Sequence, residues 1–499
     1  IAHATNRERF RKKKPNKLSP PPQMEALLRW AAELGVSDSL SAPASSSCLG
    51  RSLVVADFPD AGGRGFAAAR DLRRGELVLR VPRAALLTSD RVMADDPRIA
   101  SCVDAHRPRL SSIQRLIVCL LAEVGKGKSS GWYLYLSQLP TYYTILATFN
   151  DFEIEALQVD DAIWVAQKAV SAIRSEWEEA APLMRELDFK PKLLMFKTWL
   201  WAFATVSSRT LHVAWDDAGC LCPIGDLFNY AAPDDDTSSE EQDTEEAMKC
   251  QERNVMLEEI KLDSSSERMT DGGYEDSNAY CLYARKRYRK GEQVLLGYGT
   301  YTNLELLEHY GFLLDENPNE KTYIQLDSEL CTMGTWPKDS LYIHPNGHPS
   351  FALLCSLRLW ATPTNRRKSF SHQIYSGSML SVENELEVLK RLGSKCVETL
   401  QQLPTTAELD GRLIHFLRNL QNSTSWRVDV EQSSFGQEFA LFLRFHSVDV
   451  DCTQDQLPVR LLRSLERWEL AVRWRCSYKI ALTKCVLYCK RLINELSLQ

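Results

Sequence analysis

Residues 62–82, GGRGFAAARDLRRGELVLRVP, constrain the fold more than any other stretch of this 499-residue chain. Gly63-Arg-Gly65-Phe-Ala-Ala68 matches the GxGxxA pattern of a dinucleotide-binding turn. That pattern works only when a helix begins in the glycine loop and runs on for about ten residues. Here Asp71–Gly75 reads as a turn and Glu76–Val81 is already a strand, so there is no room for the helix. With LVVADF (53–58) in front, the reading is strand, glycine loop, strand, turn, strand, and a Rossmann start is excluded. One glycine suffices for a tight turn, whereas three in four positions favour a backbone that approaches a ligand at Gly63–Gly65.

A second stretch, Val294–Phe312 (VLLGYGTYTNLELLEHYGF), starts as a short apolar strand and breaks at Gly297-Tyr298-Gly299. It resumes as an amphipathic helix from Asn303, with Thr302 or Asn303 as N-cap and Glu305 suited to the helix dipole. Taken alone, Gly-Tyr-Gly is a β-bulge with a surface tyrosine. Its surroundings must decide otherwise. Gln293–Leu296 is preceded by the strand Ala279–Arg285 and a Lys290-Gly291-Glu292 turn, which echoes Arg74-Gly75-Glu76 in the first unit.

Between these β-rich parts, Ser111–Val124, Ala156–Leu187 and Leu193–Ser207 carry apolar residues at spacings of three and four, which predicts helices. They form a helical insertion over about 90–206, and within it lies the aromatic tract Trp132–Tyr143, WYLYLSQLPTYY. Ser207-Ser208-Arg209-Thr210 closes the last of these helices, and Leu221–Tyr230 (LCPIGDLFNY) reads as a strand-like run. An acidic stretch over about 234–276 reads as a solvated loop. From about residue 330 the pattern turns helical, at Ser350–Trp360, Ser381–Leu403, Leu409–Leu420, Gly436–Phe445 and Pro458–Leu496. The last has an apolar face (Leu461, Leu465, Trp468, Val472), with arginines on its others. The expected fold class is α+β: a β-rich domain over 23–325 split by the helical insertion, then an all-α domain over 330–499.

Residues 1–22 are basic and proline-rich, and a disordered tail is expected there. A nuclear signal and an organelle transit segment both stay open for it. The chain opens on Ile rather than Met, so its natural start is expected upstream. The net charge of −6 argues against a nucleic-acid binder that relies on overall electrostatics. No apolar run is long enough for a membrane span. Fourteen scattered cysteines in apolar surroundings suggest reduced core thiols in an intracellular protein, in nucleus, cytoplasm or chloroplast. Metal ligation is not expected. Cys220-Leu-Cys222 lacks a second pair, Cys485/Cys489 lack nearby partners, and His344–His348 spans a Pro/Gly loop. Glu305 and His309 read as a packed or solvated pair. Neither a nucleophile elbow nor a P-loop occurs.

Four motifs in order, GRGFAAARDLRRGELVLRVP, SSRT, PIGDLFNYAAP and LLGYGTYTNLELLEHYGF, resemble the SET-domain protein methyltransferases. The branch they resemble is that of the Rubisco large-subunit lysine methyltransferase, whose members interrupt SET with a helical insertion and follow it with an all-α substrate-binding domain. WYLYLSQLPTYY also resembles that branch. The likeness covers about residues 23–499, motif by motif in SET and by architecture beyond it.

The resemblance implies S-adenosylmethionine as methyl donor and a protein lysine as acceptor, docked by the C-terminal helical domain, with no nucleic acid or membrane partner and a monomeric chain. It places Gly62, Gly63 and Arg64 in the first cofactor loop and gives Arg209 the cofactor's methionine end. It sets Asp226, Leu227, Phe228, Asn229 and Tyr230 in the family's DxxNH segment. Tyr298 falls at the methyl-transfer centre and Tyr310 at the aromatic position of the closing YGF. Where the family usually has His after the Asn, this chain has Tyr230, which suits a position that contacts the adenine through its backbone. Histidine methylation on the same scaffold, and a binding module of weak activity, remain alternatives.

The chemistry asks for few residues. A free lysine has a pKa of about 10.4. An apolar, aromatic channel disfavours its ammonium form. Alignment of amine, methyl and sulfur supplies much of the barrier reduction. One phenol can orient the amine, and carbonyls exposed by glycines can make weak C–H···O contacts to the methyl.

Overall fold

The computed structural model describes residues 22–39, 46–58, 63–232, 272–276, 278–326, 336–423, 426–431, 433–448 and 457–498. The basic tail over 1–21 and most of the acidic stretch lie outside these residues. Helix α1 (Pro22–Glu33) leads into strands β1 (Leu53–Phe58), β2 (Gly63–Ala68) and β3 (Leu77–Pro82). Then come α2 (Ser89–Asp95), α3 (Pro97–His106), α4 (Ser112–Lys126), α5 (Tyr133–Leu136), α6 (Asp151–Glu155), α7 (Asp160–Glu186) and α8 (Phe196–Arg209). Strands β4 (Thr210–Val213), β5 (Asp216–Leu221), β6 (Asn229–Tyr230), β7 (Gly272–Asp276), β8 (Ala279–Tyr283) and β9 (Gln293–Leu296) follow. The C-terminal helices are α9 (Asn303–His309), α10 (Phe351–Trp360), α11 (Arg367–Tyr375), α12 (Val382–Gln402), α13 (Ala407–Asn422), α14 (Trp426–Glu431), α15 (Gly436–Phe445) and α16 (Val459–Ser497). This is a mixed helix-and-sheet fold with a helical C-terminal region.

Two compact units divide the chain: 1–141 with 176–300, and 142–175 with 301–499. The first holds all three sheets. One has the order β1-β2-β9-β6, the second β3-β8-β7, and β4-β5 is a hairpin. β2 pairs antiparallel with β9 through Phe66–Val294 and Ala67–Gln293. β6 pairs parallel with β9 through Asn229–Leu295 and Tyr230–Leu296. β9 is therefore flanked by the glycine-bearing strand on one side and Asn229-Tyr230 on the other. The all-buried α4 core, Leu116–Leu121, follows from its amphipathic sequence and a Ser111/Gln114 capping box.

Two expectations need correction. The solvated loop expected over about 234–276 does not run to its end, because Gly272–Asp276 is strand β7, paired antiparallel with β8. Its polar, glycine-rich sequence hides a strand that pairing with β8 stabilises. Leu221–Tyr230 is not one strand either: β5 ends at Leu221, a tight turn follows, and only Asn229-Tyr230 pairs again. The break is local strain, because buried Ile224 sits at φ 70°, a conformation that costs a β-branched residue about 1–3 kcal/mol.

In the second unit, the core gathers Leu146, Phe149, Ile154 and Leu157 with the apolar faces of α12, α13, α15 and α16. The described cysteines carry no disulfide, and all but Cys102 are buried. Burial pushes the thiols of Cys48, Cys119 and Cys220 up to about 12. Among the described residues, no helix is long and apolar enough to cross a membrane, and no group of three or more His, Cys, Asp or Glu is placed to hold a metal.

Candidate active site

The site forms in the first unit, where β9 ends. The antiparallel register runs the start of β2 alongside the end of β9, so the Gly63 loop and Gly297-Tyr298-Gly299 share one end of the sheet. Parallel pairing continues from Asn229-Tyr230, where the Ala231 amide donates to the Leu296 carbonyl at 3.1 Å. Arg285 holds the same corner, donating to the carbonyls of Ala231 at 3.0 Å and Ala232 at 3.4 Å.

Tyr298 is partly buried, and its hydroxyl donates to the Phe228 carbonyl. Burial raises its phenol pKa well above the usual value; the nearby Arg209 guanidinium opposes this and Asp226 reinforces it. The phenol therefore stays protonated across the physiological range. Tyr230 donates to the Gly299 carbonyl at 2.8 Å, with its ring 5.3 Å from that of Tyr298. The Tyr298 segment is thus tied twice to residues 228–230: the Tyr298 hydroxyl to Phe228, and the next residue's carbonyl to Tyr230.

A second cluster lies around Asp226, whose side chain is 3 % exposed. Arg209, the last residue of α8, donates from Nη1 to Asp226 Oδ2 at 2.9 Å and to the Asp226 carbonyl at 3.1 Å. Tyr135 of α5 donates to the same Oδ2 at 2.9 Å. Arg64 reaches Gln138 instead, at 3.4 Å to Oε1 and 3.3 Å to the carbonyl. Burial lowers the Arg64 pKa; Arg209 adds to this and Asp226 opposes it. Two guanidiniums thus share the field of one carboxylate, which leaves positive charge to be met by an anion.

The glycines divide in role. Gly63 has φ 73° and no atom within 4 Å of where a Cβ would point, so its backbone borders open space. A Cβ on Gly65 would lie 2.6 Å from Asn229 Nδ2, so Gly65 serves the close packing of β2 against that side chain rather than a ligand. Gly62 lies outside the described residues. Leu227 and Phe228 point into the interior, Phe228 edge-on to Phe66 at 4.7 Å.

The structure therefore brings together Gly63, Arg64, Arg209, Asp226–Tyr230 and Tyr298. Tyr310 belongs to the second unit, where its hydroxyl lies 3.3 Å from that of Tyr301 and its ring 6.2 Å from Phe312. Sequence reasoning missed Tyr135, Gln138 and Arg285. The aromatic tract that contains Tyr135 and Gln138 was visible, but not that it folds back onto a carboxylate 91 residues later.

Comparisons with known proteins agree on one family. The Rubisco LSMT substrate-binding profile matches residues 304–458. Protein SET DOMAIN GROUP 40 of Arabidopsis thaliana is 50% identical over 486 residues, covering 95% of this chain and 96% of that protein. Actin-histidine N-methyltransferase of Danio rerio is 23% identical, covering 78% of this chain and 62% of that protein. Among solved structures, the SET domain of LSMT bound to lysine and AdoHcy shares the fold with a TM-score of 0.57 at 16% identity, covering 96% of this chain and 93% of that one. Rubisco LSMT bound to AdoMet gives 0.53 at 18% identity, covering 95% and 93%.

Proposed function

Because this chain belongs to the SET-domain protein methyltransferases of the Rubisco large-subunit lysine methyltransferase branch, we propose that it transfers a methyl group from S-adenosylmethionine to a lysine of a protein substrate. The observation that carries this reading is the protonated Tyr298 phenol, tethered to Phe228 beside a cationic corner.

The residues present fit the cofactor. Arg64 and Arg209 offer excess positive charge for its carboxylate, and the open backbone at Gly63 leaves room for it. When bound, the cofactor supplies an electrophilic methyl on a sulfonium. Asp226 and Tyr135 hold Arg209 in place, which preorganises the anion-binding group before any ligand arrives. Tyr298 spends its proton on the Phe228 carbonyl and so presents a phenol oxygen as acceptor toward the incoming amine. That contact turns the amine lone pair in line with the methyl. A poorly solvated surround keeps the amine neutral.

Two other readings stand as outcomes. The actin-histidine relative makes histidine an alternative acceptor, and a SET scaffold that binds without transferring would be a protein-binding module. Purified full-length chain, incubated with labelled cofactor and a plant protein extract, tests all three by mass spectrometry of the modified residue. Label on lysine supports the proposal and label on histidine replaces the acceptor. Cofactor binding by calorimetry without transfer would favour the module, and no binding at all would sink the enzyme reading.

A further inference from the structure

At the other end of β2 and β9 the molecule carries a dense cationic surface. The β2–β3 connection, RDLRRGE (70–76), and the β8–β9 approach, KRYRKGE (286–292), hold seven Arg and Lys against three carboxylates, on a chain of net charge −6. The two turns are fastened to each other. Leu72 and Tyr288 exchange backbone bonds at 2.9 and 3.1 Å, Gly75 donates to the Ala284 carbonyl at 2.8 Å, and Gly291 donates to Ala68 at 2.8 Å. Leu72 and Tyr288 are buried beneath, so the charges stand on a rigid base.

The three carboxylates are engaged locally. Asp71 accepts from the Lys290 amide at 2.9 Å, Glu292 from the Arg289 amide at 2.9 Å, and Glu76 from Arg70 and the Arg73 amide. Among the described residues, the exposed side chains of Arg73, Arg74, Arg287, Arg289 and Lys290 form no ion pair. A cleft of about 730 Å³ opens between the turns, lined by 70–76 and Arg287. Such crowding of like charge is self-repulsive until an anion relieves it.

We propose that this cleft binds an acidic segment of a protein partner. Carboxylates match the fork geometry of the arginines, and several arginines on one surface suit a segment that carries several carboxylates. A single-stranded nucleic acid is disfavoured, because base stacking requires exposed rings and the one aromatic side chain of the two turns, Tyr288, is 1% exposed. The cleft lies at the opposite end of β2 and β9 from Tyr298, and the four residues of β9 alone span roughly 13 Å at about 3.3 Å per residue. An acidic segment can therefore dock without entering the methyl-transfer site.

The test is fluorescence anisotropy of the full chain with a fluorescein-labelled twelve-residue Asp/Glu peptide, without cofactor, across a salt series. Binding that weakens with salt is expected, with at least a tenfold loss in the double variant R73E/R287E. The neutral pair R73Q/R287Q repeats the measurement should charge reversal disturb folding, and circular dichroism confirms that both stay folded. Equal binding by wild type and a folded variant overturns the proposal. Tighter binding of a single-stranded oligonucleotide than of the peptide at the same salt overturns it too.

Discussion

At the scale of single residues, Tyr298 and Tyr230 make separable contributions. Tyr298→Phe removes the donor to Phe228 and the acceptor toward the amine, and kcat should fall about a hundredfold. Cofactor affinity by calorimetry should stay within about twofold, since the change leaves Arg209 held by Asp226. An undiminished kcat would remove Tyr298 from the centre. Tyr230 stands where the family usually has His, and its hydroxyl fixes the Gly299 carbonyl. Tyr230→Phe loses one hydrogen bond, so a drop of about tenfold in kcat is expected at unchanged cofactor Kd. A matching loss of cofactor affinity would instead assign the phenol to the cofactor. Arg209→Gln should show the converse pattern, with weaker cofactor binding first. If calorimetry gives equal affinity, Arg209 serves only to neutralise Asp226.

At the scale of elements, the helix after Gly-Tyr-Gly shows what sequence reveals and what it withholds. The helix and an N-cap at Thr302 or Asn303 were legible; the structure settles on Thr302, which forms a capping box with Glu305 three residues on. Glu320 was not legible. It accepts from the Asn303 amide at 2.8 Å, from seventeen residues away, and burial raises its pKa to about 7. A carboxyl raised from 4.5 in the unfolded chain to about 7 in the fold binds more protons when folded between those values. Its contribution is therefore present at low pH and is lost as pH rises toward 7. Glu320→Gln removes that loss, so the melting temperature of the variant relative to wild type should climb from pH 5 to pH 8 in buffered thermal scans. A pH-independent difference would show that Glu320 ionises normally. The same division runs through the site. β1–β3, β8 and β9 declared themselves through alternation and glycine turns, whereas the β4–β5 hairpin and β7 did not. The Arg209–Asp226–Tyr135 cluster depends on contacts across 17 to 91 residues, beyond any local pattern.

At the scale of the whole molecule, the second unit is locked by a buried charge network. Asp410 accepts from Arg475 at 2.7 Å and from Lys479 at 2.6 Å, and all three side chains are at most 4 % exposed. Thr405 and Gln158 accept from Lys479 and the Ala156 carbonyl accepts from Arg475, while Thr405 donates to Asp410. Asp410→Asn would leave two buried cations facing a neutral amide, at a cost of about 3–5 kcal/mol in urea denaturation; a loss below about 1 kcal/mol would mean that water replaces the carboxylate. Several members of this unit come from 142–175, well ahead of the rest in the chain. Glu153 in that segment is fully buried and bidentate to Arg467 at 2.7 and 2.9 Å. During synthesis these residues leave the ribosome some three hundred positions before the partners that complete their core. A nascent chain must therefore carry an exposed apolar segment, with Glu153 unmatched, until its last helix emerges. Shortened chains that stop near residue 325 would keep that condition permanently, and chaperone dependence should be the mark of both.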